Sequence, residues 1–202
     1  DSHLMKNSEW GAVAYLSQSK YGLNGTNIHI NNVNLNNSTT SVYALTGMAG
    51  NSPTAGEVTT SISAIKNKEV SDVYTWKQQN GTKASSTGTI YGIYDLSGGI
   101  VERTSSLIYN GHSSLNDYGS SLLNSGVSTE YVTIYPSNDS GETDLNEAAQ
   151  KNYEVNTKIY GDAIRETSTG GTSKSSWYTN NSAFPGYNSP FFHHGGRWNS
   201  NS

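Results

Sequence analysis

The apolar residues of this chain fall in a few short segments, and long polar stretches separate them. A chain of this kind cannot wrap one broad hydrophobic core. It has to fold around short elements joined by loops that are themselves held in place. Hydrophobic residues make up 33% of the 202 positions, below the usual share of about 45–50%. That value alone points towards disorder, but 14 tyrosines, 4 tryptophans and a net charge of only −4 point the other way, because disordered chains lack aromatics and carry more net charge. Asn, Ser, Thr and Gly fill the rest, and they favour turns by bonding nearby backbone or by tolerating positive φ. The expectation is one folded, loop-rich domain over residues 1–202, of mixed α+β class with short strands and few short helices.

The same residues exclude several functions. The 12 Lys and Arg are scattered, so no nucleic acid is expected as partner. With no cysteine there is no disulfide, no thiolate metal site and no thiol nucleophile. No apolar run approaches the roughly 20 residues that span a bilayer, so no membrane contact is expected from this segment.

Ser8 to Ser17 reads as a helix, with Trp10, Val13, Ala14 and Leu16 at helical spacing, Asn7 or Ser8 as cap, and Gly22 as stop. Residues 23 to 89 read as an elaborated loop. Short strand candidates lie at Ile28–Ile30, Val58–Ile65 and Val70–Trp76, and a polar asparagine run reaches Asn37. Ile100–Tyr109 and Glu130–Tyr135 read as strands, the second ended by Pro136. Asp144 and Glu147 form a capping-box-like pair before a helix over Leu145–Asn152, and a further helix or turn is expected over Ile159–Glu166. Trp177, Tyr178, Phe184 and Tyr187 should pin a Ser/Gly/Asn loop to the core. Pro190 to Trp198 looks like the start of a strand.

Three segments, in order, carry a resemblance. Trp10-Gly11-Ala12-Val13-Ala14-Tyr15 resembles a "DAVAYC"-like helix. Tyr91 to Glu102, reading YGIYDLSGGIVE, resembles a "GLYDMSGNVWEW" motif, and His194-Gly195-Gly196-Arg197-Trp198 resembles "RGGSW". Together they are similar to the formylglycine-generating-enzyme, or sulfatase-modifying-factor, branch of the C-type-lectin fold. The form found on bacterial pilin-like surface proteins and on variable proteins of diversity-generating retroelements is closest. The resemblance implies a C-type-lectin-like domain that lacks terminal strands and is cut at both ends, with those strands supplied by other chains or lying outside this sequence.

It also implies which chemistry is lost. The first reactive cysteine of the enzyme falls at Ser200, and serine cannot supply a copper-binding thiolate, so no catalytic residue and no enzyme activity are expected. The S-x-x-K matches Ser17–Lys20 and Ser63–Lys66 arise by chance in so serine-rich a chain. His193 and His194, adjacent on a strand, point to opposite sides and make a poor metal pair. The resemblance implies a calcium ion held by the carbonyls of Gly98 and Ile100 and the side chain of Glu102, a set of hard oxygen ligands. Alternatively, Glu102 bonds backbone amides or pairs with Arg103 or Arg165. The acidic run Asp139, Glu142, Asp144 and Glu147 lacks EF-hand spacing and reads as a solvated loop and helix cap.

Ligand contact is expected at Arg197, Trp198 and Asn199, near the C-terminal strand. The expected role is a non-catalytic, extracellular binding or adhesion module on a bacterial surface or filament, with a protein or glycan as ligand. The alternative is a structural subunit of a pilus-like filament or phage tail, self-assembling through open sheet edges. A third reading is an oxidase of the formylglycine-generating type.

Overall fold

The first helix begins where expected, but its cap is built differently. The structure, a computed structural model, describes residues 2–36, 42–54, 56–66, 71–124, 126, 128–160 and 184–196. Helix α1 spans Asn7–Gln18. Neither Asn7 nor Ser8 caps it. The Glu9 carboxylate reaches back to accept from the Lys6 N–H at 2.8 Å, the acidic half of a capping box. The Asn7 side chain is spent elsewhere. At the other end, Leu23 N–H and Gly25 N–H close on the carbonyls of Ser17 and Gln18, with Asn24 and Gly25 at positive φ. Gly22 sits inside this turn, where a Cβ would strike the Ser17 carbonyl.

The chain divides into two compact units, each discontinuous in sequence. The first holds the described residues up to Ala12, from Arg103 to Tyr160, and from Phe184 to His194. The second holds Val13 to Glu102, with Gly195 and Gly196.

The first unit is built on strands β6 (Glu102–Tyr109), β7 (Thr133–Pro136) and β8 (Phe191–His194), in the order β7-β6-β8. β6 and β7 are parallel, with Ser106 opposite Thr133 and Tyr109 opposite Pro136. Parallel neighbours need a crossover, and helix α3 (Ser113–Leu123) supplies it. The sequence does not announce α3. Its N-cap is His112, whose Nδ1 accepts from Ser114 N–H. Helix α4 spans Leu145–Tyr160, twice the expected length. Its buried residues are Ala148, Ala149, Asn152, Asn156 and Thr157, so most of the helical stripe is polar and breaks the apolar period. Asp144 Oδ1 accepts from the N–H groups of Asn146 (2.9 Å) and Glu147 (3.0 Å), one half of the expected capping box; the Asp144 N–H donates to Glu142 at 3.1 Å instead of Glu147. The core is Ile108, Tyr135, Phe184 and Phe192, with Tyr153 against it. Phe184 and Phe192 meet edge to face at 4.9 Å. Burying each such ring contributes about 1.5–3 kcal/mol.

The second unit carries two small sheets. Strand β1 (Val33–Asn36) lies between β2 (Val42–Ala44), antiparallel, and β4 (Val58–Thr60), parallel. Strand β3 (Met48–Gly50) pairs antiparallel with β5 (Val73–Thr75). Val33, Met48 and Val73 form the core, with Leu45, Val58 and Ile65 packed on it. The expected strand over Val58–Ile65 stops at Thr60, and a short helix α2 (Ile62–Lys66) follows, capped by Ser61 Oγ accepting from Ala64 N–H. Ile28–Ile30 is fully buried but is not a strand. His29 N–H bonds the Lys83 carbonyl and Ile30 N–H bonds the Ser52 carbonyl, so loops take the place of a ladder.

The asparagine run is the largest correction. Asn31, Asn32 and Asn34 are buried, the first two leading into β1 and Asn34 within it. Asn31 Nδ2 donates to the Leu45 carbonyl at 2.7 Å. Asn32 Nδ2 donates to the Gly56 carbonyl, and Asn34 Nδ2 to Glu57. Each donation satisfies the buried NH2 of the asparagine itself, while the Oδ1 atoms of Asn32 and Asn34 stay buried without a hydrogen-bond partner. The chain is mixed α+β with short strands, as expected, but its loops are fastened by buried asparagines. Among the described residues no helix is long and apolar enough to cross a membrane.

Candidate functional site

Within the second unit, the turn at Gly98-Gly99 is held from three directions. Asn31 N–H bonds the Ser97 carbonyl at 2.7 Å, Gly99 N–H bonds the Asn31 carbonyl at 2.7 Å, and Gly98 N–H bonds the Gly195 carbonyl at 2.6 Å. Gly98 has φ +79°, and a Cβ there would strike the Asn31 carbonyl. Only glycine fits both the conformation and the space.

Asp95 is the anchor beneath this turn. It stands in left-handed conformation at φ +64°, which Asp tolerates better than most residues. Its Oδ1 accepts from Asn31 Nδ2 at 2.7 Å, and both oxygens lie 3.1–3.2 Å from Gly47 N–H. Burial pushes its carboxyl above the ordinary range, while these donors pull it down. Asn31, Ala44, Thr46, Asp95, Gly99 and Ile100 line a cavity of about 130 Å3. Sequence reasoning missed Asp95 as a site residue; its place inside the glycine-punctuated motif is the signal that could have found it.

Of the expected calcium ligands, the structure brings Gly98 and Glu102 onto the same neighbour. The Glu102 carboxyl packs against Gly195, where a Cβ would collide with it. Its Oε2 is buried and has no hydrogen-bond partner. Burial, and secondarily the charge of Asp95, raise this carboxyl to about 9, with its own N–H acting in the opposite direction. Glu102 makes no ion pair with Arg103 among the described residues. The Ile100 side chain is exposed. An orphaned carboxylate oxygen beside a glycine-rich turn fits a hard cation. Among the described residues no three His, Asp or Glu side chains converge, so such an ion would lean on main-chain oxygens. Arg197, Trp198, Asn199, Ser200 and Arg165 lie outside the described residues, as do Trp177 and Tyr178.

The remaining candidates have structural work. Ser17 is buried and its hydroxyl donates to the Ala14 carbonyl at 2.5 Å. His193 and His194 do face opposite ways. His194 is fully buried, stacks on Trp10 at 4.3 Å and bonds Asn7 Oδ1, whereas burial, with the charge of Arg103 second, lowers His193. Asp139 is buried, not solvated, and accepts from Asn110 and Asn152. Glu142 is drawn down to about 2 by the Lys151 ammonium at 2.5 Å. Compared with known proteins, the chain matches no family model, no curated protein and no solved structure.

Proposed function

We propose that the chain is a non-catalytic binding module of the C-type-lectin-like, sulfatase-modifying-factor type, displayed outside a bacterial cell. One observation carries this reading. The three segments that resemble the family meet one another in pairs. Trp10 of the first stacks on His194 of the third. Gly98 and Glu102 of the second close on Gly195 of the third. Contacts of this kind, made within each unit between segments far apart in sequence, support the resemblance over chance matches.

The function follows from where that framework leads. Gly195 and Gly196 stand at φ +83° and +63°, and the next residues are Arg197, Trp198 and Asn199. A recognition segment carried on a rigid base is the usual arrangement for binding loops. A calcium ion at Glu102 and the carbonyls of Gly98 and Ile100 would stiffen that base. The test is binding of the labelled chain to arrays of bacterial and host glycans and surface proteins, repeated with Arg197→Ala and Trp198→Ala. Loss of a specific hit in both variants supports the module. Assembly of the purified chain into filaments, with no specific hit, favours the structural subunit instead.

A further inference from the structure

Asparagine followed by glycine occurs three times in the sequence, at Asn24-Gly25, Asn80-Gly81 and Asn110-Gly111. The pair is chemically unstable in water, because a glycine nitrogen with no neighbouring Cβ to shield it can attack the asparagine Cγ. Folding decides which pair reacts. The attack needs a side chain that is free to turn and a glycine nitrogen that is free to meet it.

Two of the pairs are locked. Asn110 Nδ2 donates to Asp139 Oδ2 at 3.2 Å and to the Tyr187 carbonyl at 2.8 Å, and its Oδ1 accepts from His112 N–H at 3.1 Å. Asp139 is itself buried, and all three bonds must break before Cγ turns onto Gly111. At Asn80 the constraint falls on the nucleophile. Gly81 is buried, its N–H donates to the Gln78 carbonyl at 2.9 Å, and a Cβ on it would strike the Thr75 carbonyl. A cyclic imide has no room to form there.

The third pair is open. Asn24 and Gly25 are both exposed, and nothing stands within 4 Å of the place a Cβ on Gly25 would take. The Asn24 side chain makes no hydrogen bond among the described residues. One bond guards the nucleophile, from Gly25 N–H to the Gln18 carbonyl at 2.8 Å. It closes the C-terminal turn of α1, and helix ends are the parts that open most readily. Asn24 also stands at φ +52°, a conformation that side chains adopt at a cost.

We propose that Asn24 is a site of spontaneous covalent modification, with water as the reagent. The Gly25 nitrogen bonds to Asn24 Cγ. Its proton passes through water to the side-chain NH2, which leaves as ammonia. Water then opens the cyclic imide at either carbonyl. Opening at one gives aspartate on an unchanged backbone, and opening at the other gives isoaspartate, with the main chain rerouted through the side chain. Both products place a carboxylate beside the last carbonyls of α1, where the helix dipole disfavours an anion. Isoaspartate also lengthens the turn by a methylene, which weakens the bonds that Leu23 N–H and Gly25 N–H make to Ser17 and Gln18.

The experiment ages the purified 202-residue chain at mildly alkaline pH, folded and in urea, and maps aspartate and isoaspartate at the three positions by peptide mass spectrometry. In the folded chain Asn24 should convert roughly thirtyfold faster than Asn110, the scale of two additional hydrogen bonds, and Asn80 should lag as well. In urea the three should convert at similar rates. Asn24→Gly keeps the positive φ of the turn and should remove the early isoaspartate from the folded chain. Conversion led by Asn80 or Asn110, equal rates at the three positions in the folded chain, or an Asn24 that survives folding yet converts in urea overturns the proposal. So does the same order of rates in urea, which would place the cause in the local sequence instead of the fold.

Discussion

Gly195 presses so closely on the Glu102 carboxyl that a Cβ at this position would collide with its oxygens. The same glycine stands at φ +83°, so Gly195→Ala meets two penalties. The expected loss is about 1–3 kcal/mol, most of it backbone strain. In a Glu102→Ala background the collision is gone and only the conformational part, about 1–2 kcal/mol, remains. Urea unfolding of the two single variants and the double variant measures the coupling. An equal cost in both backgrounds would show that the two residues do not touch.

The pH dependence of stability has a defined sign. Glu102 is raised to about 9 from an ordinary 4.5, so between those values the folded chain keeps a proton that the unfolded chain releases. Stability from this group is fully present below about 4.5 and is lost as pH rises towards 9, with a slope of at most ~1.4 kcal/mol per pH unit. Asp95, also raised, acts in the same direction. Glu102→Gln, which mimics the protonated acid, should flatten the fall between pH 5 and pH 9 in denaturant titrations. An unchanged slope in the variant would contradict the burial of this carboxyl.

Calcium should act against that trend. A cation at Glu102 needs the carboxylate, so binding is linked to proton release. Millimolar calcium is expected to raise Tm by several degrees at pH 8 and by less at pH 5, following mass action on the folded state. Glu102→Gln should abolish the gain, whereas Glu142→Gln, on the separate Lys151 ion pair, should not. Differential scanning fluorimetry reads both.

Asn7 fixes the proton on His194. Asn7 Nδ2 donates to Tyr135 at 3.3 Å, so its Oδ1 is the acceptor facing His194, and the imidazole must carry hydrogen on Nε2. Nitrogen-15 chemical shifts should show the Nε2–H tautomer. Asn7→Ala should cost about 2–4 kcal/mol, because it removes the buried amide that accepts from His194 and donates to Tyr135.

Asp144→Ala removes the side chain that closes the first turn of α4. A loss of about 1 kcal/mol is expected, with Asp144→Asn recovering most of it. Thermal unfolding checks the pair.

How far the sequence reveals this architecture depends on what holds each element. α1, β6, β7 and β8 were legible because apolar residues mark them and Pro136 or glycines end them. α3 was not, because its sequence SSLNDYGSSLL is rich in poor helix formers; it forms because Leu115 and Gly119 bury a narrow face. β1 was hidden because asparagine favours turns by bonding backbone locally, and here the same amides reach across the unit instead. At the site, Glu102 was readable from a motif, but its unpartnered oxygen was not. Asp95 escaped notice because its partners, Asn31 and Gly47, stand 64 and 48 residues away.

The Asn7–His194 bond closes a span of 187 residues, and this orders events on the ribosome. Most of the second unit, Val13 to Glu102, is one unbroken stretch that can condense as soon as it emerges. The first unit lacks Phe184, Phe192 and His194 until the residues beyond α4 have been made. At about 5–20 residues per second, Trp10 waits ~10–40 s for the ring it stacks on. During that interval helix α1 carries the Trp10 ring unstacked, and the strand that brings His194 ends the wait.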